Sequence, residues 1–179
     1  MARTNWHSDG AVVPVAGARI GTFDSADTAQ TKGFFRMFRR LSDQVFTSEQ
    51  IDVAAVAEAA AQGITLIINN RPEDESADQT PGAAIAAAAA AAGMAYRAIP
   101  VTHAGFSESQ VNAMADALAG TDGPVLAYCR SGTRSTLLWA LAEARRGVSP
   151  HTLTTAAAEA GYDVTPVRAI MDMLAASKA

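Results

Sequence analysis

Pro124-Val125-Leu126-Ala127-Tyr128-Cys129-Arg130-Ser131-Gly132-Thr133-Arg134-Ser135 decides the reading of this chain. The apolar run Pro124 to Tyr128 has strand character and ends on a thiol, and Leu137 to Arg146 beyond the turn is strongly helical. A strand feeding a helix through a glycine-bearing turn brings backbone N–H groups together at the helix start, where negative charge is favoured. The same field favours the thiolate, the reactive form of cysteine. Gly132 can take the positive φ that this convergence requires. Arg134 can hold an oxyanion through two parallel hydrogen bonds, a geometry that lysine lacks.

Outward from this turn the punctuation alternates strand with helix. Val45-Phe46 reads as a short strand. Thr47 and Gln50 have capping-box spacing, which predicts a helix from there to Gln62, stopped by Gly63. Ile64 to Asn69 is a β-branched apolar run, expected of a strand covered on both faces. Thr80-Pro81 opens an alanine-rich helix that stops at Gly93, and Met94 to Val101 is the next strand. Ser107 and Gln110 repeat the capping-box spacing ahead of the stripe Val111, Met114, Ala115 and Leu118, which Gly120 ends. Helices opening at Ser149-Pro150 and Thr165-Pro166 follow without an intervening strand, so they are expected to pack together on one flank. The pattern predicts an α/β fold: a mostly parallel central sheet of about four or five strands with helices on both faces.

Residues 1–33 carry Gly, Ser, Thr, Asp and Pro with little periodicity and read as an N-terminal extension; residues 34–179 read as a single α/β domain. Phe34, Phe38 and Leu41 share a helical face, expected to pack on the domain rather than lie on a membrane.

Composition narrows the function classes. With 49% hydrophobic and 18% charged residues the chain is that of a soluble globular protein. A net charge of −4 gives no general reason to bind nucleic acid or an anionic membrane, so an anion site must be local. The single cysteine forbids an internal disulfide and fits a reducing compartment. No targeting segment is recognisable: Ala11 to Ala18 is too short and follows Asp9, and Pro81 to Tyr96 is shorter than a membrane span. The expectation is a cytoplasmic protein without metal or organic cofactor. The scattered histidines, with His7 and His151 away from the chemistry, offer no metal-ligand spacing.

In an open parallel sheet the ligand sits beyond the carboxyl ends of the strands. That rule places three segments on one rim: Asn70-Arg71-Pro72-Glu73-Asp74-Glu75, Thr102-His103-Ala104-Gly105 and the cysteine turn. Cys129 is the candidate nucleophile, and Arg130, Ser131, Gly132, Thr133, Arg134 and Ser135 the candidate anion-binding loop. Ser135 could cap the following helix or donate to a departing thiolate; Arg130 could contact substrate or stay solvated. Asn70, Arg71 and Asp74 are the candidate rim residues. His103 is a candidate general acid because its unperturbed pKa lies near neutrality, with Glu73, Asp74 and Glu75 as rival donors. The bland alternatives are an exposed loop histidine and a solvated acidic turn.

"AYCRSGTRS", "IINNRPEDE" and "YRAIPV", in their chain positions, resemble the protein-tyrosine-phosphatase-like domain associated with beta-lactamase-hydrolase-like proteins, over about residues 38–165. The resemblance implies a three-layer phosphatase-like α/β fold, with Cys129 as nucleophile and Arg134 as oxyanion binder. Asn70 and Arg71 match its other signature. Three features depart from the wider class of cysteine phosphatases. Only four residues, Arg130 to Thr133, separate cysteine from arginine where five are usual, a spacing similar to that of rhodanese sulfurtransferases. Thr102 and His103 follow "IPV" where such phosphatases place an aspartate, and Tyr128 precedes the cysteine where they have histidine.

Three functions stand open at this point. A phosphatase-like hydrolase would take a phosphorylated substrate or small oxyanion. A sulfurtransferase carrying a cysteine persulfide would take a sulfane-sulfur donor. A module that binds oxyanions without turnover would need neither chemistry.

Overall fold

A computed structural model describes residues 38–177. Five strands form one sheet: β1 (Arg39–Arg40), β2 (Val45–Ser48), β3 (Leu66–Asn69), β4 (Ala95–Ala98) and β5 (Val125–Tyr128), in the order β1-β2-β5-β3-β4. β1 runs antiparallel to β2, and the other four are parallel. The helices are α1 (Val53–Ala61), α2 (Gly82–Ala91), α3 (Glu108–Ala119), α4 (Thr133–Arg145), α5 (Pro150–Glu159) and α6 (Arg168–Ala176), with a 3₁₀ turn at Thr165–Val167.

β3 and β5 are buried at every position because the sheet is covered on both faces. Leu66, Ile68, Val125 and Ala127 pack with residues of α3 to α6; Ile67, Leu126 and Tyr128 pack with α1 and α2. This is why neither strand shows polar alternation in sequence. α4 is the central helix of the larger layer: all eight residues from Leu137 to Ala144 except Glu143 are buried. Burial of a leucine such as Leu138 or Leu141 contributes about 1.5–3 kcal/mol. Three layers result, as the alternating pattern predicts. Among the described residues no helix is long and apolar enough to cross a membrane.

Register then fixes the site. Ser48, Tyr128, Asn69 and Ala98 form the last rung across the parallel strands. The chain segments leaving these four residues therefore emerge side by side.

Two expectations need correction. Phe38 and Leu41 do not share a helical face: Arg39–Arg40 is an edge strand, and the two side chains enter opposite layers of the core. Phe34 lies outside the described residues. Thr47 does not cap a helix; it is paired inside β2, and the cap of α1 is Asp52, whose carboxylate accepts from Ala55 N–H at 2.8 Å. The last two helices do pack together on one flank, as expected: α5 and α6 touch each other, and both lie against α4.

Candidate active site

The cysteine loop starts at the end of β5. Cys129 is fully buried, and its N–H still reaches across to the Ser48 carbonyl of β2 at 3.4 Å. Gly132 then turns the chain at φ 84° and stands as the N-cap of α4. Ser135, in the first turn of α4, is therefore not the cap. Its buried hydroxyl has no hydrogen-bond partner among the described residues.

Three consecutive loop carbonyls are held from outside the loop. Gln50 N–H donates to the Arg130 carbonyl at 3.4 Å, and the Tyr162 hydroxyl donates to that of Ser131 at 3.2 Å. The Thr47 and Thr136 hydroxyls both donate to the Gly132 carbonyl, at 3.3 and 2.9 Å. In a planar trans peptide the C=O and the next N–H point in opposite directions. Pinning these carbonyls outward therefore aims the N–H groups of Ser131, Gly132 and Thr133 at the loop's interior. The Gly132 N–H reaches the Cys129 Sγ at 3.1 Å.

Arg134 closes the ring. Its Nη1 donates to the Val101 carbonyl at 2.8 Å and faces Glu75 Oε1 at 2.7 Å, while Nη2 donates to Glu75 Oε2 at 2.8 Å. The carboxylate thus takes the Nη1–Nη2 end of the guanidinium. The Nε–Nη2 edge, with two parallel donors, stays outside that pair, and the Cys129 side chain is also a hydrogen-bonding partner of Arg134. Burial alone would lower the Arg134 pKa, but Glu75 and the Cys129 side chain reverse this and raise it, so its charge is secure.

Glu75 bridges two arginines. Arg71, itself buried, donates to Glu75 Oε2 at 2.8 Å, to Gln50 Oε1 at 2.9 Å and to Ser76 Oγ at 2.7 Å. The bond from Arg134 is the main reason the Glu75 carboxyl is pulled down to about 2; burial opposes it, and Arg71 adds to it. A group ionised so far into acid cannot donate a proton at neutral pH.

The predicted rim is partly scaffold. Asn70 ties the end of β3 to the segment after β4, its side-chain Nδ2 donating to the Ile99 carbonyl at 2.9 Å and its backbone carbonyl accepting from Val101 N–H at 3.0 Å. Arg71 spends its donors on Gln50, Glu75 and Ser76. Asp74 is exposed at φ 58° and shapes the turn; its neighbour Glu75 is the carboxylate that reaches the arginines. Glu73 points elsewhere and accepts from the Gly82 N–H at the start of α2, at 3.1 Å. His103 is exposed in the turn after Val101 and shares none of the loop's hydrogen bonds. Arg130 is exposed beside the acidic turn; the Asp78 carboxyl is lowered chiefly by Ser76, with Arg71 and Arg130 contributing. Ser131 and Thr133 are exposed and joined hydroxyl to hydroxyl at 3.1 Å.

Tyr162, Gln50, Thr47 and Thr136 carry no catalytic signature in sequence, yet they set the loop's shape. Only the tertiary fold brings them to it.

The chain belongs to the family described as "Beta-lactamase hydrolase-like protein, phosphatase-like domain", whose model matches residues 37–146. It is 36% identical over 108 residues to a beta-lactamase hydrolase-like protein of Agrobacterium fabrum, and 37% identical over 103 residues to one of Xylella fastidiosa. These matches cover 60% and 58% of this chain but only 25% and 24% of the relatives, so it spans about a quarter of their length. Among solved structures it is similar to a candidate phosphatase of Neisseria meningitidis, with 31% identity and a TM-score of 0.67 over 76% of this chain and 96% of that one. Tk-PTP in its active form shares the fold alone, at 16% identity and a TM-score of 0.60 over 79% and 98% of the two chains.

Proposed function

We propose that this phosphatase-like domain is a cysteine-dependent hydrolase of phosphorylated substrates. The observation that carries the reading is the Gly132 N–H donating to the Cys129 sulfur at 3.1 Å, with the Arg134 guanidinium, held by Glu75, beside it. The thiolate of Cys129 attacks phosphorus, the bond from phosphorus to the leaving oxygen breaks, and a phosphocysteine forms. Water then attacks phosphorus, the S–P bond breaks, and thiolate and inorganic phosphate are released. The loop N–H groups and Arg134 stabilise the equatorial oxygens throughout. Glu75 holds Arg134 rather than handing on a proton. His103, in the turn beyond Val101, is the candidate that protonates the leaving oxygen, and the Ser135 hydroxyl is the candidate donor to the departing thiolate.

A second reading has its own support. The ring is one residue shorter than in most cysteine phosphatases, and it leaves the sulfur with no solvent exposure, which favours a small transferred group. In sulfur transfer the Cys129 thiolate attacks the sulfane sulfur of thiosulfate, the S–S bond breaks and sulfite leaves. An acceptor thiolate then takes the outer sulfur from the persulfide and regenerates Cys129.

One pair of measurements separates these. Hydrolysis of an aryl phosphate by the wild type but not by Cys129→Ser supports the first; equal rates sink it. Added sulfur on Cys129 by intact mass after thiosulfate treatment, without aryl phosphate hydrolysis, establishes the second instead. Phosphate binding with neither activity leaves an anion-binding module.

A further inference from the structure

The peptide whose N–H meets the sulfur accepts a hydrogen bond from a residue beyond the segment the family model covers. Tyr162 follows α5 and lies past residue 146, where that match ends. Its backbone N–H is anchored on the Ala157 carbonyl at 2.8 Å. Its ring has the Arg39 guanidinium over it, 5.1 Å from the centroid, and Arg39 Nη1 donates to the Ala160 carbonyl at 3.2 Å. Its hydroxyl then spans to the Ser131 carbonyl, 31 residues away, at 3.2 Å.

The Ser131 carbonyl and the Gly132 N–H belong to one peptide plane, and that N–H donates to Cys129 Sγ at 3.1 Å. Rotation of such a plane is easy beside glycine, which accepts either sign of φ. A rotated plane would turn a carbonyl oxygen toward the sulfur and repel any anion held there. An external bond on the carbonyl is what prevents this. The fit is close as well: a Cβ placed on Gly132 would strike the Tyr162 hydroxyl and ring. Burial raises the Tyr162 pKa, with Arg39 opposing and Cys129 adding, so the phenol keeps its proton and remains a donor at neutral pH.

We propose that Tyr162 is a positioning residue of the nucleophile loop: its hydroxyl, on a ring steadied by Arg39, locks the Ser131–Gly132 peptide so that the N–H faces Cys129 and its bound anion. The anion-binding part of this rests on the loop reading of the preceding section. The peptide lock does not, and the two can be tested separately.

The test is Tyr162→Phe, which deletes the hydroxyl and keeps the ring. One net hydrogen bond, about 0.5–1.5 kcal/mol, corresponds to roughly a 2- to 12-fold change in an equilibrium. By NMR the Gly132 amide should exchange faster by about that factor, while the Leu126 amide of β5 stays unchanged. By calorimetry, inorganic phosphate should bind more weakly by a similar factor. Arg39→Gln should act in the same direction and add little in the Tyr162→Phe background. If that background is too unstable to study, Arg39→Gln alone carries the same two readouts. Unchanged Gly132 exchange and unchanged phosphate affinity in both variants overturn the proposal, as does equal acceleration at Leu126. Faster Gly132 exchange in a protein that binds no phosphate supports the peptide lock and sinks the anion-loop reading.

Discussion

Arg134 meets three demands with one planar group. It binds Glu75 end-on, donates to the Val101 carbonyl, and keeps a two-donor edge toward the loop. Lysine would retain the charge, but its three donors radiate from a single nitrogen and cannot hold a carboxylate and an oxyanion in parallel. Charge-assisted hydrogen bonds contribute about 1.5–3 kcal/mol each. Arg134→Lys is therefore expected to weaken inorganic phosphate binding by at least about tenfold, or about 1.4 kcal/mol. Folding should suffer less, because the lysine can still pair with Glu75. Calorimetric titration beside a thermal melt checks this, and an unchanged phosphate affinity would remove Arg134 from the oxyanion site.

At the scale of elements, local rules succeed where an element's signal lies within its own residues. Ser107 and Gln110 form the reciprocal capping box that their spacing predicts: Ser107 N–H donates to Gln110 Oε1 at 2.7 Å, and Gln110 N–H donates to Ser107 Oγ at 3.3 Å. Losing such a cap costs about 1 kcal/mol. Ser107→Ala should lower the unfolding free energy by about that amount, read as a lower urea midpoint at an unchanged slope; no measurable loss would mean solvent caps α3 equally well. Thr47 and Gln50 have the same spacing and make no cap, because β2 claims Thr47 for pairing with Ala127. Capping spacing is a local signal, and strand pairing outbids it from across the sheet. β1 was illegible for a related reason: two arginines hold no periodicity, and only the pairing of Arg39 with Thr47 and Arg40 with Phe46 makes them a strand. The site divides along the same line. Cys129, Gly132 and Arg134 sit within one turn, so their spacing alone brings them together. Tyr162 and Gln50 reach the loop through tertiary packing, and a one-residue step decides that Glu75 rather than Asp74 meets the arginines.

For the whole molecule, Glu75 is the joint that ties the β3 exit to the α4 start. One carboxylate receives Arg71 from one segment and Arg134 from the other. This has a consequence for acid stability. The Glu75 carboxyl ordinarily titrates near 4.5 and is held at about 2 in the folded protein, chiefly by Arg134. A depressed carboxylate favours the folded state above its ordinary pKa and loses that contribution as pH falls toward the folded value. The stabilisation should therefore be complete at pH 7, begin to fade below about 4.5, and be spent near 2. Glu75→Gln keeps the shape and removes the charge. Its folded state takes the shared carboxylate from two guanidiniums, one of them buried, and breaking such a pair costs on the order of 3 kcal/mol. Asp78 and Asp163 are also lowered in the folded state, but both proteins share them, so they cancel in the difference. The stability gap between wild type and Glu75→Gln, read from urea unfolding at successive pH values, should be widest at neutral pH and narrow steadily below about 4.5. A gap that stays constant down to pH 3 would mean that Glu75 joins the two segments through its shape and hydrogen bonds alone, with no part for its charge.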